Sequence, residues 1–155
     1  MPKYYKIEAS PKIIKHASAL FNATVRDILI ELLQNSRRGG AKTVTMTIND
    51  NANTFIIEDD GEGMFKNGVH ITLGDSHWEE SIQNREYPAG MGIFSMAERG
   101  CTIEANNQYI QLKPQHFNSE EWVEIHNSSY NKGTRVTFPL KAYEMSSIDH
   151  IINTY

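Results

Sequence analysis

Apolar residues recur at helical spacing twice in the first forty positions. Ile13, Ile14, Ala17, Leu20 and Phe21 follow Ser10-Pro11, an N-cap residue and a proline at the first helical position. A second helix is predicted from Thr24, with Val25, Ile28, Leu29, Leu32 and Leu33 on its buried face and Gly39-Gly40 at its end. The period then changes to two. Val44, Met46 and Ile48 alternate with Thr43, Thr45 and Thr47, the pattern of a half-buried strand over 42–49. Turn residues crowd 49–53, so 54–58 is read as the return strand of a hairpin, ending at Asp59-Asp60-Gly61-Glu62-Gly63. A short helix is expected over 66–73.

The stretch 74–89 is polar and charged and has no period. A loop of that length in a compact domain is usually functional or disordered. Gly90-Met91-Gly92 opens an apolar segment, 93–97, that reads as a helix ending near Gly100. Strands are predicted over 102–105, 109–112, 122–126 and 134–138, and a last helix within the tail 142–155. This order of elements predicts an α+β sandwich, with helices packed on one face of a mixed, mostly antiparallel sheet.

Composition narrows the class. A length of 155 residues with 39% apolar and 22% charged residues fits one soluble globular domain. The net charge of −4 and the lack of a basic stripe argue against direct nucleic-acid binding. One cysteine, Cys101, excludes an internal disulfide and points to a reducing, cytoplasmic setting. No apolar run reaches the ~18 residues of a membrane span, and no signal-peptide core is present. No zinc spacing, G-x-S-x-G elbow or G-x-x-x-x-G-K-[ST] loop occurs.

Four local patterns carry chemistry, each with a plainer alternative. Glu31 and Asn35 share a helix face at the edge of the apolar stripe. Asn35 can offer a carbonyl oxygen to a hard metal ion and Glu31 can activate a water; the same pair also describes a solvated helix flank. In Asp59-Asp60-Gly61-Glu62-Gly63 a carboxylate stands beside two residues without side chains. A planar heterocycle can reach the backbone there and donate an amine to the carboxylate; the run also describes an ordinary turn. Gly90 and Gly92 precede a predicted helix, where exposed N–H groups favour phosphate. Gly133-Thr134 precedes the final strand.

The order of these patterns is more specific than any one of them. E-x-x-x-N on a helix, D-x-G-x-G after a strand, G-x-G after a long loop and G-T before a strand resemble the GHKL superfamily of nucleotide-binding domains, which includes DNA gyrase B, the ninety-kilodalton heat-shock chaperone, sensor histidine kinases and MutL. The resemblance spans about 19–140, and Glu31-Leu32-Leu33-Gln34-Asn35-Ser36 looks most like the MutL version. It implies a Bergerat-type α/β sandwich that binds ATP with Mg²⁺. Glu31 would be the general base and Asn35 the metal ligand. Asp59 would bind the adenine amino group, with Gly61, Gly63 and Met64 shaping its pocket. The lid would span about 74–89, with Gly90 and Gly92 at the phosphates. Thr134 would support Asp59 through water.

The resemblance also sets expectations for activity. Glutamate at position 31 favours the hydrolysing branch over the histidine kinases and anti-sigma kinases, which usually have asparagine there. The implied function is Mg²⁺-dependent ATP hydrolysis that couples nucleotide state to a protein partner. The alternatives are a non-hydrolysing ATP/ADP sensor and an anti-sigma-type protein kinase. Two departures stand out. Arg38 occupies a position where the family often has aspartate, which reverses a charge near the site and leaves two readings of Arg37 and Arg38, a contact to phosphate or a place in solvent; and Tyr87-Pro88-Ala89-Gly90 lacks an earlier lid glycine. The hydrolysing relatives draw a lysine from a second domain. The sequence extends about fifteen residues past the last predicted strand, so turnover by this chain alone is expected to be slow.

Overall fold

A computed structural model of the chain describes residues 3–5, 24–68, 96, 99–118, 122–148 and 150. The helix expected over 10–21, the proposed lid 74–89, Gly90, Gly92 and the end of the tail lie outside the described residues. Helix α1 covers Val25–Arg38. Strands β1 (Lys3–Tyr5), β2 (Val44–Asn49), β3 (Thr54–Asp59), β4 (Cys101–Ala105), β5 (Gln108–Leu112), β6 (Val123–Asn127) and β7 (Thr134–Pro139) form one sheet in the order β1-β6-β5-β4-β7-β3-β2. Two short helices, α2 (Pro114–Asn118) and α3 (Ala142–Met145), complete the described elements. Every described strand pair is antiparallel, so the mixed element of the expected sheet does not occur among these residues.

Helix α1 forms where the pattern placed it. The Thr24 hydroxyl accepts the Asp27 amide at 3.2 Å and donates to the Asp27 carboxylate at 2.6 Å. This satisfies one of the donors left open at a helix start and puts a carboxylate in the first turn. Gly39 caps the other end, donating its N–H to Asn35 O at 2.9 Å. Val25, Ile28, Leu29 and Leu32 are buried, and Leu33 packs at the edge of the core.

The inner face of the sheet supplies the other half of that core. Alternation puts Phe55 and Ile57 of β3, Ile103 and Ala105 of β4, and Val136 and Phe138 of β7 on one side, all at most 3% exposed. Phe55 and Phe138 stack with ring centroids 5.3 Å apart, and full burial of such a side chain stabilises by ~1.5–3 kcal/mol. On the opposite face Arg135 reaches Glu104 of β4 at 2.8 Å and lies 4.4 Å from the Tyr130 ring centre.

Two elements had no sequence signal. β1 is three residues long and exists by pairing with β6, too short to show alternation. α2 is a single turn opened by Pro114. The helix expected over 66–73 is replaced at its start by a turn, in which Gly68 N–H donates to Phe65 O at 3.0 Å. The helix expected over 93–97 and ending near Gly100 lies mostly outside the described residues; of that stretch Met96, Arg99 and Gly100 are described, and Arg99 and Gly100 both donate to Met96 O. α3 starts at the expected tail position, and Ile148 beyond it is buried in the core.

Candidate functional site

The end of α1, the end of β3, the turn after it, the middle of β4 and the start of β7 line a cavity of about 240 Å³. This lies just below the ~300–1,000 Å³ of ordinary ligand clefts. Leu32, Ile57, Ile103 and Val136 give it apolar walls, and Asn35, Ser36, Asp59 and Thr134 supply convergent polar groups.

Asp59 is held from three sides. Its Oδ1 accepts the Gly61 N–H at 2.9 Å and the Thr134 N–H at 3.2 Å. Its Oδ2 accepts the Ser36 hydroxyl at 2.8 Å. Carboxylate oxygens each take about two hydrogen bonds, so Oδ2 retains capacity for a donor from the cavity. The neighbouring Asp60 turns the other way. Its Oδ1 takes the amides of Thr43 at 2.9 Å and Lys42 at 2.7 Å, which hold this carboxyl below the usual range. One carboxylate ties β2 to the end of β3, and the other faces the cavity.

The turn after Asp59 is locked by contacts distant in sequence. Asn106, in the β4–β5 turn, accepts the Phe65 N–H at 2.9 Å and donates to Glu62 O at 3.1 Å. Gly63 has φ +88°, and a Cβ there would lie 2.3 Å from Asn106 Oδ1. Gly133 has φ +76°, and a Cβ there would lie 2.1 Å from the Asp59 carbonyl oxygen. Thus the missing side chain of Gly63 makes room for Asn106 rather than for a ligand. Gly61 similarly faces Gly39 O and does not line the cavity.

Thr134 supports Asp59 in a way the sequence reading did not foresee. Its backbone N–H contacts the carboxylate directly, while its hydroxyl accepts the Met64 N–H at 2.9 Å. One residue therefore positions both Asp59 and the Met64 turn.

Glu31 lies one helical turn before Asn35 and is fully buried. Neither carboxylate oxygen has a hydrogen-bond partner among the described residues. Burial pushes its carboxyl from an ordinary 4.5 up to about 7, against an opposing pull from Arg38. It was expected at the edge of the apolar stripe; the structure encloses it, and it does not line the cavity. Asn35 does, and its Oδ1 accepts from Arg38 Nη1 at 3.3 Å.

Of the predicted site residues, the cavity brings together Asn35, Asp59, Gly63, Met64 and Thr134, with Gly61 adjoining and Glu31 enclosed nearby. Gly90 and Gly92 lie outside the described residues. Ser36, Arg38 and Asn106 carry contacts that motif spacing did not assign. The hydroxyl following Asn35 was the available signal for Ser36. For Asn106 it was an Asn-Asn pair at a two-residue hairpin turn, with φ of 51° and 62°.

An antiparallel sheet covered on one face by helix α1, with a mostly apolar cleft closed by an aspartate at a strand end, defines a ligand-binding α+β domain. The family model for histidine kinase-, DNA gyrase B-, and HSP90-like ATPases matches residues 23–104, and the chain belongs to that family. No curated protein matches the chain. The match makes this a GHKL-type domain with a Bergerat sandwich, a family of ATP-binding domains. Among the described residues no helix is long and apolar enough to cross a membrane.

Proposed function

We propose that this chain is a single nucleotide-binding domain in which Asp59 reads adenine and Glu31 serves as the base for slow ATP hydrolysis, coupled to a protein partner. The observation that carries the reading is Glu31. A buried carboxylate without a partner lowers stability and returns nothing structurally, and such groups concentrate at functional sites. A carboxyl that titrates near 7 is also matched to accepting a proton at neutral pH.

Asp59 supports the adenine assignment. Its carboxylate is oriented by two backbone amides and the Ser36 hydroxyl, which leaves acceptor capacity toward the cavity for an exocyclic amine. Met64, Ile57, Ile103 and Val136 offer apolar surface to the ring faces. The hard oxygen of Asn35 fits a magnesium ion that arrives on the polyphosphate and keeps most of its water. When bound, that ion would neutralise phosphate charge. Asn35 would hold it, and Glu31 would orient a water and take its proton.

One observation favours a second reading, a nucleotide sensor that does not turn over: Glu31 is fully buried and does not line the cavity in this conformation. A single-turnover assay with ATP and Mg²⁺ separates the two. Hydrolysis that Glu31→Gln abolishes while ATP binding persists supports the base; bound ATP that stays intact for hours in the wild type supports the sensor. Asp59→Asn tests the site itself. The amide would present a donor where adenine also donates, so ATP affinity should drop at least ~10-fold, and an unchanged isotherm would remove the adenine assignment.

A further inference from the structure

Gly63 and Met64 line the cavity, and the backbone on both sides of them is held by a side chain that does not. Asn106 Oδ1 accepts the Phe65 N–H at 2.9 Å, and Asn106 Nδ2 donates to Glu62 O at 3.1 Å. Among the described residues neither backbone group has another partner. A carboxamide can do this because one planar group carries both a donor and an acceptor. A carboxylate in its place would set a second acceptor against the Glu62 carbonyl. The contact has no slack: a Cβ at Gly63 would lie 2.3 Å from Asn106 Oδ1.

Asn106 stands on a fixed mount. With Asn107 it forms the β4–β5 turn, at φ of 51° and 62°, a left-handed geometry that asparagine tolerates. Asn107 N–H donates to Tyr130 O at 2.8 Å, and its carbonyl accepts the Ser128 N–H at 2.9 Å. These bonds fasten the turn to the β6–β7 loop, which leads into Gly133 and Thr134, the residues packed on and bonded to Asp59. Thr134 Oγ1 also accepts the Met64 N–H at 2.9 Å. The two sides of the pocket, Asp59 and the Gly63-Met64 segment, are therefore held by neighbouring loops that are bonded to each other.

We propose that Asn106 is a positioning residue for the purine. On the reading of the cavity as a nucleotide site, it never touches the ligand. It fixes Gly63 and Met64 as one wall of the base pocket, so affinity for the base is set from the β4–β5 turn.

Calorimetric titration of the full chain with ATP and with adenosine, together with methionine-methyl NMR of the unliganded protein, tests it. Asn106→Gly removes the amide and keeps a backbone that glycine adopts freely. It should weaken ATP and adenosine by the same factor, about five- to tenfold, the usual weight of a lost hydrogen-bond partner. Asn107→Gly, in the same turn, loses only a side-chain bond of 3.4 Å to Ser128 O and should change either affinity less than about twofold. The Met64 methyl resonance should shift or broaden in Asn106→Gly and not in Asn107→Gly. The Met96 methyl, fully buried in the core, should stay in place in both and reports that the fold is intact. Where Asn106→Gly does not fold, Asn106→Asp fills the same space and carries the test; it should weaken uncharged adenosine at least as much. An adenosine isotherm equal to wild type in a folded Asn106 variant overturns the inference, as does an unmoved Met64 resonance. Equal losses in Asn106→Gly and Asn107→Gly also overturn it, because they would mean hairpin stability rather than a clamp. So does a loss confined to ATP, which would place the effect at the phosphates. In all of these cases the wild type still binds adenosine and the nucleotide reading stands. Failure of both ATP and adenosine to bind the wild type overturns that reading as well.

Discussion

Replacing Glu31 by glutamine should make the protein more stable at high pH relative to the wild type, and the size of the effect follows from the burial of one carboxyl group. In the unfolded chain Glu31 ionises near 4.5; in the folded chain burial moves this to about 7. Between those values the native state binds more protons than the unfolded state, so stability falls as pH rises. Below 4.5 both states are protonated and the cost vanishes; above 7 both are ionised and the cost is constant. At roughly 1.4 kcal/mol per pH unit of displacement, the wild type should lose about 2–3 kcal/mol relative to Glu31→Gln between pH 5 and pH 8. For a domain of this size that is a shift of roughly 5–10 °C in Tm. Glutamine does not titrate, and every other ionisable group is common to both proteins, so their contributions cancel in the difference. Urea titrations of both proteins at pH 5, 6, 7 and 8 measure it. A difference that stays flat across that range would refute the claim that Glu31 is enclosed without a partner. The same titration governs activity. Hydrolysis that uses Glu31 as base should rise with pH through about 7 and then level off.

Two further outcomes test the supports of the site. Gly133→Ala forces a side chain into φ +76° and against the Asp59 carbonyl; it should destabilise by about 1–3 kcal/mol or more and weaken ATP binding, and a wild-type Tm and affinity would refute the close approach. Arg99 and Glu144 form an ion pair at 2.5 Å with side chains only 4% and 6% exposed. Burial alone would raise the Glu144 carboxyl, but the Arg99 hydrogen bond, the Lys141 amide and the charges of both residues hold it below its usual range. Glu144→Ala should cost about 3–5 kcal/mol in a urea titration at pH 7, because it leaves a buried guanidinium behind. A depressed carboxyl stabilises above its unfolded pKa, so that cost should shrink as pH falls below about 4.5; a cost independent of acid would refute the pairing.

Much of the fold was legible because its elements obey local periods. Helix α1 has a capping residue, an apolar stripe and terminal glycines in a row, and each signal lies within a few residues of the next. The hairpin of β2 and β3 has alternation and a turn-rich loop. β1 and α2 left no trace, because three to five residues cannot display a period and their stability comes from neighbours. Motif order named Asn35, Asp59, Gly63, Met64 and Thr134, which the fold brings to one cavity. Gly63 lines the cavity, yet a side chain there would meet Asn106, and one at Gly61 would meet Gly39 O. No spacing rule carries a clamp between residues 63 and 106.

By itself, the sequence determined the α+β class, the buried face of α1, the strands other than β1 and the motif order of a GHKL-type domain. Those properties rest on side-chain size, polarity and backbone preference over short windows. Only the tertiary structure decided what surrounds each group. It enclosed Glu31 and raised its pKa, gave Asp59 its three donors, turned Asp60 away to β2, and put Arg38 rather than Arg37 on the cavity wall. Burial, charge and hydrogen-bond partnership are properties of the space around a residue, and packing fills that space with atoms from distant parts of the chain.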